Sequence, residues 1–187
     1  MNPYKIIETP DEIVSDMAIE IYDYLKLHTN LLTFEKLGWQ FFNSKDLLSK
    51  SPIVFNFFKN LKLFVKDSAI TISVDDTQLP IHIDEQPVIA KINLPILNTK
   101  GWANRWYYIS KEQLESCPKM LNQFNKEIYN LSGLDTLDVL AELKDMNKPI
   151  VFNSSIPHSV NKITDIIVGP RIVASFTFYN EPIKWLE

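Results

Sequence analysis

The feature that most constrains this chain is the triplet His82-Ile83-Asp84, set between two apolar stretches typical of β-strands, at 79–81 and 88–90. Successive side chains of an extended chain point to opposite faces, so residues i and i+2 share a face. The imidazole of His82 and the carboxylate of Asp84 are therefore expected to project together, while Ile83 turns into the core. The triplet predicts a polar site on one face of a sheet.

A second histidine in a similar context adds to this site. Of the three histidines in the chain, His28 falls at the end of a predicted helix, where a surface or capping role is ordinary. His158 follows Pro157 in a strand–turn–strand pattern. Two imidazoles and one carboxylate leave further positions on a metal open, which is the diagnostic ligand set of non-haem Fe(II) oxygenases. We therefore identify His82, Asp84 and His158 as candidate metal ligands.

An arginine lies 13 residues after His158 (171 − 158), within a predicted strand. By strand alternation Arg171 shares a face with Ser175 and Thr177, while the other face is apolar (Ile172, Ala174, Phe176 and Phe178). A buried guanidinium is costly unless an anion meets it. Its planar fork binds a carboxylate through two parallel hydrogen bonds. Arg171 is thus a candidate anion-binding residue, and the Ser175 hydroxyl could add a third bond.

Two polar residues of the strand after the triplet are weaker candidates. Lys91 and Asn93 alternate with Ile92 and Leu94, so both could point toward the site. Asn93 is favoured as a polar contact, because a neutral amide costs less to bury than an ammonium. The nearby aromatic residues are interpreted as core more readily than as a lip of the site (Trp102, Trp106, Tyr107 and Tyr108).

Composition narrows the class of protein. A chain of 187 residues with 45% hydrophobic residues is expected to form one domain with a substantial core. The net charge of −4 gives no electrostatic case for binding nucleic acid or an anionic membrane. The single cysteine excludes an internal disulfide, and neither a secretory signal nor an apolar run of about 18 residues is found. These observations favour a cytoplasmic, reducing setting.

The order of elements predicts the fold class. Helices are expected from Thr9 to about His28, around 46–48 and from Ser51 to about Asn60, with a turn near Gly38. Strands are expected later, and a mostly helical insertion at 110–131 is expected to interrupt them, with 137–143 either helix or strand. The expected strands are a hairpin over 61–74 with a turn at 75–78 after it, then 88–97, 105–109, 149–153, 157–160 and 171–179. This order predicts an α+β fold, in which a β-sandwich or jelly roll is backed by N-terminal helices.

The pattern His82-x-Asp84, His158 and Arg171 with Ser175 resembles that of the Fe(II)/2-oxoglutarate-dependent oxygenases. It is most similar to small single-domain members related to prolyl and aspartyl/asparaginyl hydroxylases. The resemblance covers about 61–180, which would be the double-stranded β-helix (jelly-roll) catalytic core, with 1–60 as mainly helical support. One departure is that many members place the serine two residues after the arginine, whereas here it lies four after.

The resemblance implies a set of roles and a reaction. His82, Asp84 and His158 would hold the iron, and Arg171 would bind the distal carboxylate of 2-oxoglutarate. The family's reaction uses O₂, converts 2-oxoglutarate to succinate and CO₂, and hydroxylates a C–H bond of the main substrate. Asp84 argues against a halogenating relative, because those replace the carboxylate by a small residue so that chloride can bind.

Two other functions stay open at this point. One is a non-catalytic jelly-roll binding or virion-associated module, which usually loses at least one ligand. The other is a cupin-like metalloenzyme that does not use 2-oxoglutarate, which typically offers further histidines or a nearby glutamate. Glu85 is near, but its position directs it to the face opposite Asp84. A peptidyl residue, a free amino acid or a small metabolite could each be the substrate.

Overall fold

The computed structural model describes residues 1–28, 38–43, 46–74, 79–84, 88–121, 127–129, 131, 137–164 and 169–187. Four α-helices lie in these ranges, together with a short 3₁₀ helix at Ile183–Leu186. They are α1 Asp11–His28, α2 Leu47–Lys50, α3 Pro52–Asn60 and α4 Lys111–Ser116. The three helices predicted in the N-terminal third are confirmed, and Pro52 occupies the first turn of α3, where its missing N–H costs nothing.

Twelve strands are described, and every pairing between them is antiparallel. They are β1 Tyr4–Ile6, β2 Gly38–Asn43, β3 Val65–Val74, β4 Leu79–His82, β5 Ala90–Leu97, β6 Trp102–Tyr107, β7 Lys119–Leu121, β8 Glu127–Tyr129, β9 Val139–Lys144, β10 Ile150–Asn153, β11 His158–Lys162 and β12 Arg171–Phe178. They form a six-stranded sheet (β1-β10-β5-β12-β3-β2), a four-stranded sheet (β4-β11-β6-β9) and the pair β7-β8. The predicted α+β class is confirmed.

Helices α1, α2 and α3 cover one face of the six-stranded sheet. Alternate residues of β12 point to that face, and all four are buried there as the sequence predicts (Ile172, Ala174, Phe176 and Phe178). Phe58 of α3 lies against Phe176, with ring centroids 4.7 Å apart, and Met17 and Ile21 bring α1 into the same cluster. Apolar burial against the helices is therefore what holds this side of the sheet in place.

The other face of the six-stranded sheet meets the four-stranded sheet. Trp106 of β6 packs in one cluster with Ile150 and Phe152 of β10 and with Val173 of β12. Since Trp106 belongs to the small sheet and the others to the large one, this cluster joins the two sheets. The residues predicted for the site lie on these facing surfaces.

Several predicted elements differ in the structure. The predicted hairpin is a single strand, β3, because the chain turns earlier, at Lys62 (φ 57°), and then pairs with β12 from Val65 to Ser73. Gly38 itself begins β2 and pairs with β3, and the residues before it, 29–37, where the predicted turn could fall, lie outside the described residues. The predicted aromatic strand starts three residues earlier, at Trp102.

The insertion also differs from the prediction. Helix α4 ends at Ser116, because Pro118 has no N–H and pushes the preceding Cys117 into an extended conformation (φ −70°, ψ 134°). The strands β7 and β8 follow, and β9 settles the ambiguity at 137–143 in favour of strand. The N-terminal 60 residues supply two strands, β1 and β2, as well as helices. The predicted turn at 75–78 and Glu85 lie outside the described residues.

No helix among the described residues has the length and apolar character that crossing a membrane requires.

Candidate metal centre

The structure brings the three candidate metal ligands together between the two larger sheets. His82 ends β4 and His158 begins β11, and these two residues are direct cross-strand partners. Their ring centroids lie 4.3 Å apart. Asp84 follows two residues after His82, and one ligand atom from each of the three residues lies within 4.8 Å of the others. The convergence predicted from the sequence is therefore present.

Both histidines are oriented by the backbone in the same way. The Nδ1 atom of His82 lies 2.8 Å from the carbonyl oxygen of Pro80, and Nδ1 of His158 lies 2.8 Å from that of Ile156. A carbonyl only accepts, so each neutral imidazole carries its proton on Nδ1 and keeps the Nε2 lone pair free for a metal. Each Nε2 lies 3.7 Å from an Asp84 oxygen, His82 from Oδ1 and His158 from Oδ2.

Asp84 is fixed by contacts that local sequence does not reveal. Its backbone N–H donates to the carbonyl of Ser154 at 3.1 Å. Ser154 is fully buried, and its hydroxyl and N–H donate to the carbonyls of Val88 (3.0 Å) and Ile89 (2.8 Å). Ile83 turns away from the ligands into a small apolar cluster, as the strand alternation predicts. Ser154 thus ties the segment of the metal ligands to the start of β5.

Lys91 reaches the ligands although the sequence favoured Asn93. Its Nζ lies 2.9 Å from Oδ2 of Asp84, and both side chains are mostly buried. Lys91 lies on the same face of β5 as Asn93, so the alternation of side chains along the strand predicted its face correctly. The cost of burial alone favoured Asn93 over Lys91. That comparison neglected the length of the lysine side chain, whose four-carbon stem lets the ammonium reach Asp84.

The charges of the site favour the state that binds a metal. Burial alone would raise the pKa of Asp84, but Lys91 and the two histidines outweigh it and hold that pKa well below its usual range. Burial, together with the charge of His82, lowers the pKa of His158 to about 4. At neutral pH the carboxylate is ionised and His158 is neutral, which are the forms that act as metal ligands.

Arg171 is buried on the sheet that faces the small one, with 3% of its surface exposed. Its Nη2 donates to Oδ1 of Asn104 at 3.4 Å, and its Cζ lies 5.8 Å from the ring centroid of Trp102. Burial lowers its pKa to about 10, so the guanidinium is charged at neutral pH. Sequence reasoning missed Asn104, although strand alternation from Trp102 and Trp106 would place it on the inner face of β6.

Ser175 and Asn93 are brought together rather than to the guanidinium. They are cross-strand partners on β12 and β5, and the Ser175 hydroxyl donates to Oδ1 of Asn93 at 2.6 Å. They lie on the face of β12 that Arg171 also occupies. Their role in binding a cosubstrate stays a prediction.

The aromatic residues near the site divide between core and surface. Trp102 and Trp106 are 1% exposed, and Trp106 stacks on Tyr4 with ring centroids 4.7 Å apart. Tyr107 is also buried, and its hydroxyl lies 2.8 Å from that of Ser159. Tyr108 is 60% exposed. The core interpretation therefore holds for all but Tyr108.

The donor set fits a divalent transition metal. Atoms each about 2.0–2.2 Å from one ion lie at most about 4.4 Å apart. Each imidazole meets that condition with one oxygen of Asp84, His82 with Oδ1 and His158 with Oδ2, both at 3.7 Å. Two neutral nitrogens and one carboxylate oxygen suit iron and its neighbours better than calcium or magnesium, which prefer oxygen ligands.

Comparison with solved structures identifies proteins whose fold is similar to that of this chain. No protein-family model and no curated protein matches the sequence. The structure is similar to that of HygX from Streptomyces hygroscopicus with nickel and 2-oxoglutarate bound (TM-score 0.56, 11% identity, 94% of this chain and 81% of that chain covered). HygX with iron bound gives a TM-score of 0.51 at 12% identity over the same shares of the two chains. A prolyl-4-hydroxylase from Pseudomonas putida aligns over 94% of this chain and 90% of its own, at 11% identity and a TM-score of 0.46. The chain therefore shares the fold of HygX.

Proposed function

We propose that this protein is an Fe(II)- and 2-oxoglutarate-dependent oxygenase. The observation that carries the proposal is the convergence of His82, Asp84 and His158 within 4.8 Å. A buried arginine on the facing sheet supports it, because it offers a site for a carboxylate. The fold shared with HygX, which has been crystallised with nickel and 2-oxoglutarate and with iron, favours the same chemistry here.

Each residue has a defined task in this proposal. The two imidazoles bind through Nε2, since their Nδ1 protons are held by carbonyls, and Asp84 supplies the anionic ligand. Arg171 binds the distal carboxylate of 2-oxoglutarate and so orients the keto acid toward the metal ligands. When bound, the metal with 2-oxoglutarate and O₂ supplies the oxidising power for hydroxylation, leaving succinate and CO₂.

We further infer a single domain over 1–187. Its catalytic core would be a double-stranded β-helix at about 61–180, and residues 1–60 would support it. The face-to-face packing of the two antiparallel sheets supports this arrangement. The proposed substrate is a peptidyl residue, an amino acid or another small metabolite, and neither nucleic acid nor a membrane is proposed as a partner. The cytoplasmic setting stays a prediction.

Succinate release tests the activity. Wild-type protein with Fe(II), ascorbate, O₂ and 2-oxoglutarate is expected to form succinate above the rate of the His82→Ala variant, even without a main substrate. Binding of 2-oxoglutarate under anaerobic conditions, with Mn(II) in place of iron, gives a second readout that does not depend on turnover. Wild-type protein that binds Mn(II) but not 2-oxoglutarate would favour a cupin-like metalloenzyme, and protein that binds neither would favour a non-catalytic module.

A further inference from the structure

The inner face of β6 carries a row of buried nitrogen donors. Trp102, Asn104 and Trp106 alternate along this strand and are 1%, 6% and 1% exposed. Within the described part of the chain, Nε1 of each tryptophan and Nδ2 of Asn104 have no hydrogen-bond partner. Buried polar groups are normally paired, so three such donors on one face of a strand point to a ligand that brings acceptors.

The orientation of the Asn104 amide follows from its neighbour. Arg171 offers only donors, so the amide oxygen of Asn104 must face the guanidinium, as its 3.4 Å contact shows. The amide nitrogen then points elsewhere in the space between the sheets, with two hydrogens to donate. Asn104 therefore continues the donor surface of Arg171.

Strand register places Asn104 between the metal ligands and Arg171. His158 pairs with Trp106 across β11 and β6, and Val160 pairs with Asn104 two residues further along. Two residues of a strand span about 6.6–6.8 Å. Because Asn104 contacts Arg171 at 3.4 Å, a ligand that reaches from His158 to Arg171 ends beside Asn104, about two strand residues from the metal ligands.

We propose that Asn104 donates through Nδ2 to the distal carboxylate of a dicarboxylic keto acid, and that it makes the site selective for that second carboxylate. The inference rests on the proposed function and extends it to the residue that sets cosubstrate specificity. Arg171 supplies the charge, while Asn104 holds one oxygen in a fixed direction. An aspartate at this position would neutralise the guanidinium and repel the ligand.

The test compares two keto acids on protein loaded with Mn(II) under anaerobic conditions, by calorimetry. One keto acid is 2-oxoglutarate and the other is pyruvate, which has no distal carboxylate. Wild-type protein is expected to prefer 2-oxoglutarate, and Asn104→Leu is expected to reduce the ratio of the two affinities at least tenfold, about 1.4 kcal/mol. Asn104→Asp is expected to reduce the ratio further. Mn(II) affinity, measured beforehand, is expected to be unchanged in both variants.

Arg105→Ala is the matched control, because Arg105 lies on the opposite face of the same strand and pairs with Glu142. It is expected to leave the ratio unchanged. Wild-type discrimination that persists in both Asn104 variants, whatever their absolute affinities, would overturn the assignment of Asn104. Wild-type protein that fails to bind 2-oxoglutarate would instead overturn the proposed function itself.

Discussion

The two faces of strand β12 differ in their chemistry. One face packs four apolar side chains against the helices (Ile172, Ala174, Phe176 and Phe178). The other carries the buried cation Arg171, then Val173 and the hydroxyl of Ser175, toward the small sheet. The strand thus separates a surface that stabilises the fold from the surface to which we assign ligand binding.

The energetic consequence follows from the chemistry of each face. Burying a large apolar side chain stabilises a fold by roughly 1.5–3 kcal/mol. Burying a cation removes it from water at a cost, which an anionic ligand would offset. Substitutions on the two faces should therefore change different measured quantities, and the following predictions test that separation.

The largest expected effect is on the helix side. Phe176→Ala should lower the free energy of unfolding by about 3–5 kcal/mol, because it leaves a cavity beside Phe58 in a closely packed cluster. Urea denaturation measures the loss. Mn(II) affinity of the folded protein should change little, and a variant that lost metal affinity while keeping its stability would contradict the separation of the two faces.

The second effect is on the ligand side. Arg171→Met should reduce 2-oxoglutarate affinity roughly 100-fold, since a bidentate contact to a carboxylate involves two charge-assisted hydrogen bonds. The free energy of unfolding should stay within about 1 kcal/mol of wild type or increase, because a methionine does not have to be desolvated as a cation. Calorimetry measures the 2-oxoglutarate affinity, and urea denaturation measures the free energy of unfolding. Unchanged cosubstrate affinity would refute the role of Arg171.

Substitution of Ser154 is expected to change both the free energy of unfolding and the affinity of the metal site. Ser154→Ala should cost about 1 kcal/mol of unfolding free energy, through the lost hydrogen bonds to the loop before β5. It should also weaken Mn(II) binding several-fold, because the hydroxyl anchors Ser154, whose backbone carbonyl accepts a hydrogen bond from the N–H of Asp84. Ser51→Ala is the matched control, because the Ser51 hydroxyl is buried without a partner among the described residues. Equal stability losses in the two variants would mean that the Ser154 hydroxyl has no particular role.

The last effect arises only at alkaline pH and lies on the helix side again. Burial, with the hydrogen bond to Asp46, raises the pKa of Tyr24 from 10.0 to about 12. Between these values the unfolded chain loses the phenolic proton while the folded protein keeps it, so stability falls as the pH rises. From pH 9 to pH 11 this group should contribute a loss of about 1.4 kcal/mol. Tyr24→Phe should lose less stability over that range, and identical slopes for the two proteins would contradict the assignment.

The sequence allowed much of the site to be predicted because strand alternation is a local rule. The pairing of His82 with Asp84 and the two faces of β12 both follow from a period of two. Asn104 and Ser154 were missed for the site, and Lys91 was ranked below Asn93, because their contacts cross between sheets or strands. Strand register and the separation of two sheets depend on the whole fold, and no local pattern encodes them.

The same distinction explains the errors in secondary structure. An alternating stretch followed by a β-branched stretch predicts a hairpin over 61–74, whereas pairing with β12 from Val65 to Ser73 makes one continuous strand. The periodicity of apolar residues predicts a mostly helical segment at 110–131, but helix α4 ends at Ser116 because Pro118 cannot continue it. Tertiary pairing decided the first case, and backbone sterics decided the second.

The central claim is that His82, Asp84 and His158 form one metal centre, and anaerobic titration with Mn(II), followed by electron paramagnetic resonance, tests it directly. Wild-type protein should bind one ion per chain, and His158→Gln should weaken that binding roughly 100-fold or more, beyond what loss of an outer-shell partner typically costs. Binding of equal strength in wild type and variant, or no stoichiometric binding to wild-type protein, would contradict the account.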